Sequence, residues 1–156
     1  MRNVRTRRRG FIDLQRINLG DWIVLLAGAL TVASLFFPWF VSSVAANTQW
    51  AFTYSEVFSV VVIVFFLAAL FLVIYPALSP DLGLPPLPFS TPVVFLTMGS
   101  ILLLSYMYQL GKYACITCTG TSRGFGLWLG LIASFVFIIG AVIKWGSRPT
   151  RRDFSS

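Results

Sequence analysis

Four stretches of this chain carry no charged side chain: Trp22 to Val41 (WIVLLAGALTVASLFFPWFV), Val57 to Tyr75 (VFSVVVIVFFLAALFLVIY), Val93 to Leu110 (VVFLTMGSILLLSYMYQL) and Phe125 to Ile143 (FGLWLGLIASFVFIIGAVI). Each is close to the ~20 helical residues that cover ~30 Å of hydrocarbon at about 1.5 Å per residue. In lipid every backbone N–H needs a partner within its own segment, so these runs are expected to be helices. The β-branched VVVIV of the second run favours a strand in water, but a bilayer offers no water to an open sheet edge. With 57% hydrophobic and 11% charged residues, the chain cannot coat a core of this size with polar surface. The pattern predicts an all-α membrane protein, a four-transmembrane-helix bundle over residues 22–146 with basic tails at 1–21 and 147–156.

The charges orient the bundle. Ten of the twelve Lys and Arg lie near the ends: Arg2, Arg5, Arg7, Arg8, Arg9 and Arg16, then Lys144, Arg148, Arg151 and Arg152. Four crossings return the chain to its starting side, and basic flanks stay in the cytoplasm, so both termini are expected to be cytoplasmic. Arg5, Arg7, Arg8, Arg9, Arg148, Arg151 and Arg152 are candidate ligands for anionic lipid headgroups. The basic residues flank apolar runs rather than forming a folded basic surface, which speaks against nucleic acid as the partner. Lys112 and Arg123 fall on the expected outer side, against the rule. Val44-Ala45-Ala46 resembles a signal-peptide cleavage site, but the apolar run before it is too long for a signal core; an uncleaved helix is expected.

The connections differ in character. Residues 10–20 place Phe11, Leu14 and Ile17 broadly on one side, which fits either a short helix in the headgroup layer or an unstructured tail. The expected inner loop, residues 76–92, holds six of the eight prolines and reads as stiff and extended. Trp50, Phe52 and Tyr54 alternate, as interfacial anchors or as a short strand. Pro38 is expected to bend or end the first helix, with Phe36, Phe37, Trp39 and Phe40 at the membrane interface.

Candidate chemistry is sparse. There is no histidine, which removes the commonest metal ligand and general base. Two cysteines do not make a four-ligand metal site, and no metal or other cofactor is expected. Cys115 and Cys118 fall in the expected outer loop, an oxidising setting where a loop disulfide is permitted. The apolar runs lack the ionisable residue that usually marks a transport path. The fourth run carries a face of small residues, Gly126, Gly130, Ala133, Ser134 and Ala141, with a G-x-x-x-G spacing at its start. In lipid such a face allows close backbone approach, so it calls for a neighbouring helix, most simply one from the same chain.

Two resemblances bear on function. Cys115-Ile116-Thr117-Cys118, together with four runs, resembles the vitamin K epoxide reductase family, four-helix membrane proteins with an outward C-x-x-C. That resemblance implies a membrane thiol-disulfide oxidoreductase acting on a quinone. The chain departs from the family in separating Cys118 from the fourth run by TGTSRG and in lacking a second cysteine pair. LFFPWF at the end of the first run and GFGLWLGLIASFVFIIGAVI in the fourth resemble a pattern in small four-span bacterial membrane proteins, which implies a bacterial inner-membrane setting. The expected function is a non-catalytic accessory or structural subunit of a larger membrane complex, with other membrane subunits and lipids as partners. The oxidoreductase is the alternative. A third reading, a lipid, quinone or carotenoid binding protein, rests on the fifteen Phe, five Trp and five Tyr.

Overall fold

The computed structural model describes residues 17–42, 48–51, 55–78, 89–112 and 121–147. Four helices and three short strands occur among them. The order is α1 (Leu19–Ser34), β1 (Pro38–Ser42), β2 (Thr48–Trp50), α2 (Glu56–Leu78), α3 (Thr91–Lys112), β3 (Thr121–Arg123) and α4 (Phe125–Gly146). Three of the helices are long and apolar enough to cross a membrane, over Glu56–Pro76, Thr91–Gly111 and Phe125–Gly146. The fourth, α1, has 16 residues.

The first apolar run is therefore not one helix to Val41. It is helical to Ser34, turns through Leu35–Phe37, and enters a strand at Pro38. Proline has no N–H, so position 38 cannot donate to the carbonyl four residues earlier, that of Ser34. The indole Nε1 of Trp39 donates to that carbonyl instead, at 3.0 Å. The donor that would prolong the helix is replaced by one on a side chain, and the backbone leaves the helical path.

The other helices outrun the apolar stretches that predict them, because a helix end does not require apolar residues. α2 continues to Leu78 and takes Pro76 into its last turn. There proline costs only the bond to the Leu72 carbonyl. α3 starts at Thr91, and the Ser90 carbonyl accepts from Val93 and Val94. Pro92 falls in the first turn, where its missing N–H would have had no intrahelical partner.

The strands form one antiparallel sheet in the order β2-β1-β3. β1 follows α1, β2 precedes α2, and β3 joins α3 to α4, so the sheet sits at one end of the helices. Pro38 pairs with Trp50 but Phe40 with Gln49, which leaves Trp39 as the extra residue of a bulge. A bulge breaks the alternation of side chains. Trp39 and Phe40 are adjacent in sequence, yet both are buried.

Helix packing is led by α1 against α4, then α3 against α4; α2 rests mainly on α1 and touches α3 more lightly. α1 and α4 run antiparallel. A Cβ at Gly20 would stand 2.8 Å from the backbone N of Lys144, and one at Gly126 2.7 Å from the carbonyl oxygens of Ser34 and Phe37. These two glycines mark the ends of a seam along which backbones touch. Two apolar clusters fill the interior. One, at the sheet end, includes Leu35, Trp39, Phe58, Leu102, Tyr106 and Leu127. The other, toward the opposite end, includes Val24, Ala27, Leu72, Phe95, Phe137 and Ala141.

The seam gives a direct prediction. Gly126→Val forces a side chain against two backbone carbonyls that cannot rotate away, and should destabilise the protein by about 3 kcal/mol, the upper part of the overpacking range. Gly111→Ala is the control: nothing lies within 4 Å of a Cβ there. It should leave stability unchanged or raise it by up to ~1 kcal/mol through helix propensity. Unfolding of the two variants in mixed micelles measures both; a neutral Gly126→Val would contradict the close approach.

Candidate functional site

Two polar locks hold the helices, one at each end of the α1–α4 seam. The lock at the sheet end is built around Ser34. Its hydroxyl lies 2.7 Å from the Thr31 carbonyl, to which it donates, and 2.8 Å from the Tyr106 hydroxyl. A serine has one proton to give. With that proton on the Thr31 carbonyl, Tyr106 is the donor in the pair that joins α3 to α1. The Ser34 carbonyl takes the Trp39 indole N–H, so one residue of α1 fixes both the sheet and α3.

Trp39, Phe58 and Tyr106 form a closed aromatic trio around this lock. Their centroids are 5.4 Å (Trp39–Phe58), 5.5 Å (Trp39–Tyr106) and 5.1 Å (Phe58–Tyr106) apart, and no pair stacks face to face. Edge-on and tilted contacts set the positive rim of one ring near the negative face of another. Gly130 forms the floor for Tyr106, whose ring occupies the space a Cβ would need. The trio therefore brings β1, α2 and α3 together over α4.

The lock at the other end is ionic. Asp21, in the first turn of α1, pairs with Lys144, in the last turn of α4. Asp21 is only 5% exposed. Its second oxygen accepts the backbone N–H of Asn18 at 3.2 Å. The Lys144 ammonium also lies 5.0 Å from the centroid of the Phe95 ring, which ties α3 into the same corner. Buried charges persist where they are paired and hydrogen-bonded, and both conditions hold for Asp21. The arrangement also suits the helix dipoles, with an anion at an N-terminus and a cation at a C-terminus.

Two further polar groups sit near the sheet. Arg123 of β3 reaches the Leu110 carbonyl in the last turn of α3 with its guanidinium, at 3.5 Å. A cation placed there complements the negative end of that helix. Gln109, one turn past Tyr106, is 92% buried by its 8% exposure. Its Oε1 has no hydrogen-bond partner among the described residues.

The residues singled out from sequence fall into two sets. Gly126, Gly130, Ala133, Ser134 and Ala141 are all buried on α4. Their face meets α1 and α3 of the same chain, and Ser134 returns its hydroxyl to the Gly130 carbonyl. Cys115 and Cys118 lie outside the described residues, as do Arg5, Arg7, Arg8, Arg9, Arg148, Arg151 and Arg152. Sequence reasoning missed the ion pair because both partners stand just beyond the apolar runs. Asn18 followed three residues later by Asp21 is a helix-start signal that could have flagged one of them. Thr31 and Ser34, within the first apolar run, could each be satisfied by its own helix. Thr31 is, through the Ala27 carbonyl, but Ser34 has the second partner across the bundle.

No three His, Cys, Asp or Glu side chains cluster as metal ligands among the described residues. The chemistry on view is that of helix locking: hydroxyl to carbonyl, hydroxyl to hydroxyl, indole to carbonyl, carboxylate to ammonium. Comparison with protein-family models, with curated proteins and with solved structures finds no match to the chain.

Each lock has its test. Lys144→Met leaves the Asp21 carboxylate buried without a counter-charge, and should cost about 3–5 kcal/mol. Combining it with Asp21→Asn should recover most of that loss. Exchanging the charges, Asp21→Lys with Lys144→Asp, keeps a pair but opposes both helix dipoles, and should recover less. Unfolding in micelles ranks the three; full recovery by the exchange would remove the dipole from the account. Gln109→Leu deletes an unpaired buried acceptor and should raise stability by about 1–3 kcal/mol. A loss of stability would mean that the carboxamide has a partner in the folded protein.

Proposed function

We propose that this chain is a non-catalytic structural subunit of a membrane complex, a four-span protein of a bacterial inner membrane with both termini in the cytoplasm. The reading is carried by the division between the inner and outer faces of its helices. Leu26, Leu30, Val60, Val64, Leu67, Ile132, Phe135 and Val142 are large, apolar and exposed. Thr31, Ser34, Ser59, Tyr106, Ser134 and Asp21 are polar and buried, and bond to nearby backbone, to each other or, for Asp21, to Lys144. That is inside-out for water and right for lipid. A perimeter of this kind presents itself to acyl chains and to other transmembrane helices.

Depth matching supports α1 as the fourth span despite its length. It starts level with Lys144 and ends level with Gly126, the two limits of the seam. α4 is long enough to cross, so α1 occupies the same slab. Its turn continues the path, with Leu35, Phe36 and Phe37 donating to carbonyls three residues back. Exposed aromatics frame the slab. Phe125 and Trp145 are about 30 Å apart along α4 at 1.5 Å per residue, close to the hydrocarbon thickness, and Trp22 lies at the same end as Trp145. In this arrangement the basic tails share the end with the ion pair. The sheet is on the outer side, where Arg123 is held at the end of α3.

Two experiments test the proposal. Gentle extraction from the native membrane should yield a discrete assembly with other membrane proteins. A monodisperse monomer without companions would overturn the subunit reading, and a bound quinone or pigment would favour the ligand-binding one. Topology is read with an impermeant thiol reagent on intact cells, in a Cys115→Ser, Cys118→Ser background. Ser122→Cys, exposed on β3, should be labelled, and Thr6→Cys and Ser155→Cys should be protected. Labelling of one terminus alone would rule out an even number of spans.

A further inference from the structure

We draw no further inference here: the strongest candidate, the outward face of α3 formed by Thr97, Ile101, Leu104 and Tyr108, is an unpartnered helix face, and nothing in the structure shows what covers it.

Discussion

Pro38 lacks one hydrogen, and the sheet end of the bundle is arranged around that lack. A standard residue there would have given its N–H to the Ser34 carbonyl and carried α1 onward. With that donor missing, the carbonyl is open to the Trp39 indole. Once Trp39 turns inward, the strand it belongs to is committed to the top of the seam. Phe58 and Tyr106 close on its ring. The Tyr106 hydroxyl then reaches the same serine whose carbonyl holds the indole. The backbone must also come close enough for this to happen, and Gly126 permits it where any side chain would meet the Ser34 and Phe37 carbonyls. Local covalent chemistry thus decides where helix becomes sheet, and the packing of four other elements follows.

Electrostatics obeys a single rule at both ends. Asp21 and Glu56 are in the first turns of α1 and α2; Lys144 is in the last turn of α4, and Lys112 ends α3. Arg123, on a strand, places its guanidinium at a carbonyl of the last turn of α3. Acids stand where helices begin and the two lysines where they end, while Arg123, placed on a strand, reaches a helix end with its side chain. A helix end carries roughly half an elementary charge, and in a low-dielectric setting that partial charge is felt strongly. The same rule accounts for Arg123 at the sheet end. Its guanidinium has a local counterpart in the Leu110 carbonyl.

The number and type of helices were legible from the length of the uncharged runs, since charge is what hydrocarbon penalises most. Their ends were not, because a helix can run past its apolar stretch. Hydropathy reads Pro38 to Val41 as apolar and hence as span, and it is blind to the pairing that puts those residues in β1. Pro38 did signal a break, but not that a strand would follow. β3 was invisible: Thr-Ser-Arg has no apolar period, and its conformation comes from pairing with β1, eighty residues away in the chain. The alternation at Trp50, Phe52 and Tyr54 fits an interfacial anchor or a short strand, and β2 ends at Trp50; Phe52 and Tyr54 lie outside the described residues. The small-residue face was legible as a pattern, whereas its neighbours were not, because G-x-x-x-G specifies a close approach and not its partner. The ion pair was the least legible of all. Each partner alone looks like an ordinary interfacial charge, and only the antiparallel seam brings residues 21 and 144 together.

These observations bear on how a bundle of this kind acquires one structure. Aliphatic contacts in lipid discriminate weakly, because acyl chains solvate leucine about as well as another leucine does. Register must come from features that lipid cannot imitate: steric fit at glycine and pairing of polar groups. Here both act on the same seam and at the same levels. Gly20 and Gly140 lie beside Asp21–Lys144, and Gly126 and Gly130 lie beside Ser34–Tyr106. Sliding α1 by one turn along α4 would break both polar locks and drive side chains into backbone at both ends. α2 has no such pair among the described contacts. It is held on α1 by Phe66 over Gly28 and on α3 by Phe58 against Tyr106. The bundle is therefore an α1–α4–α3 unit joined by glycine contacts and polar pairs, with a fourth helix attached chiefly by shape.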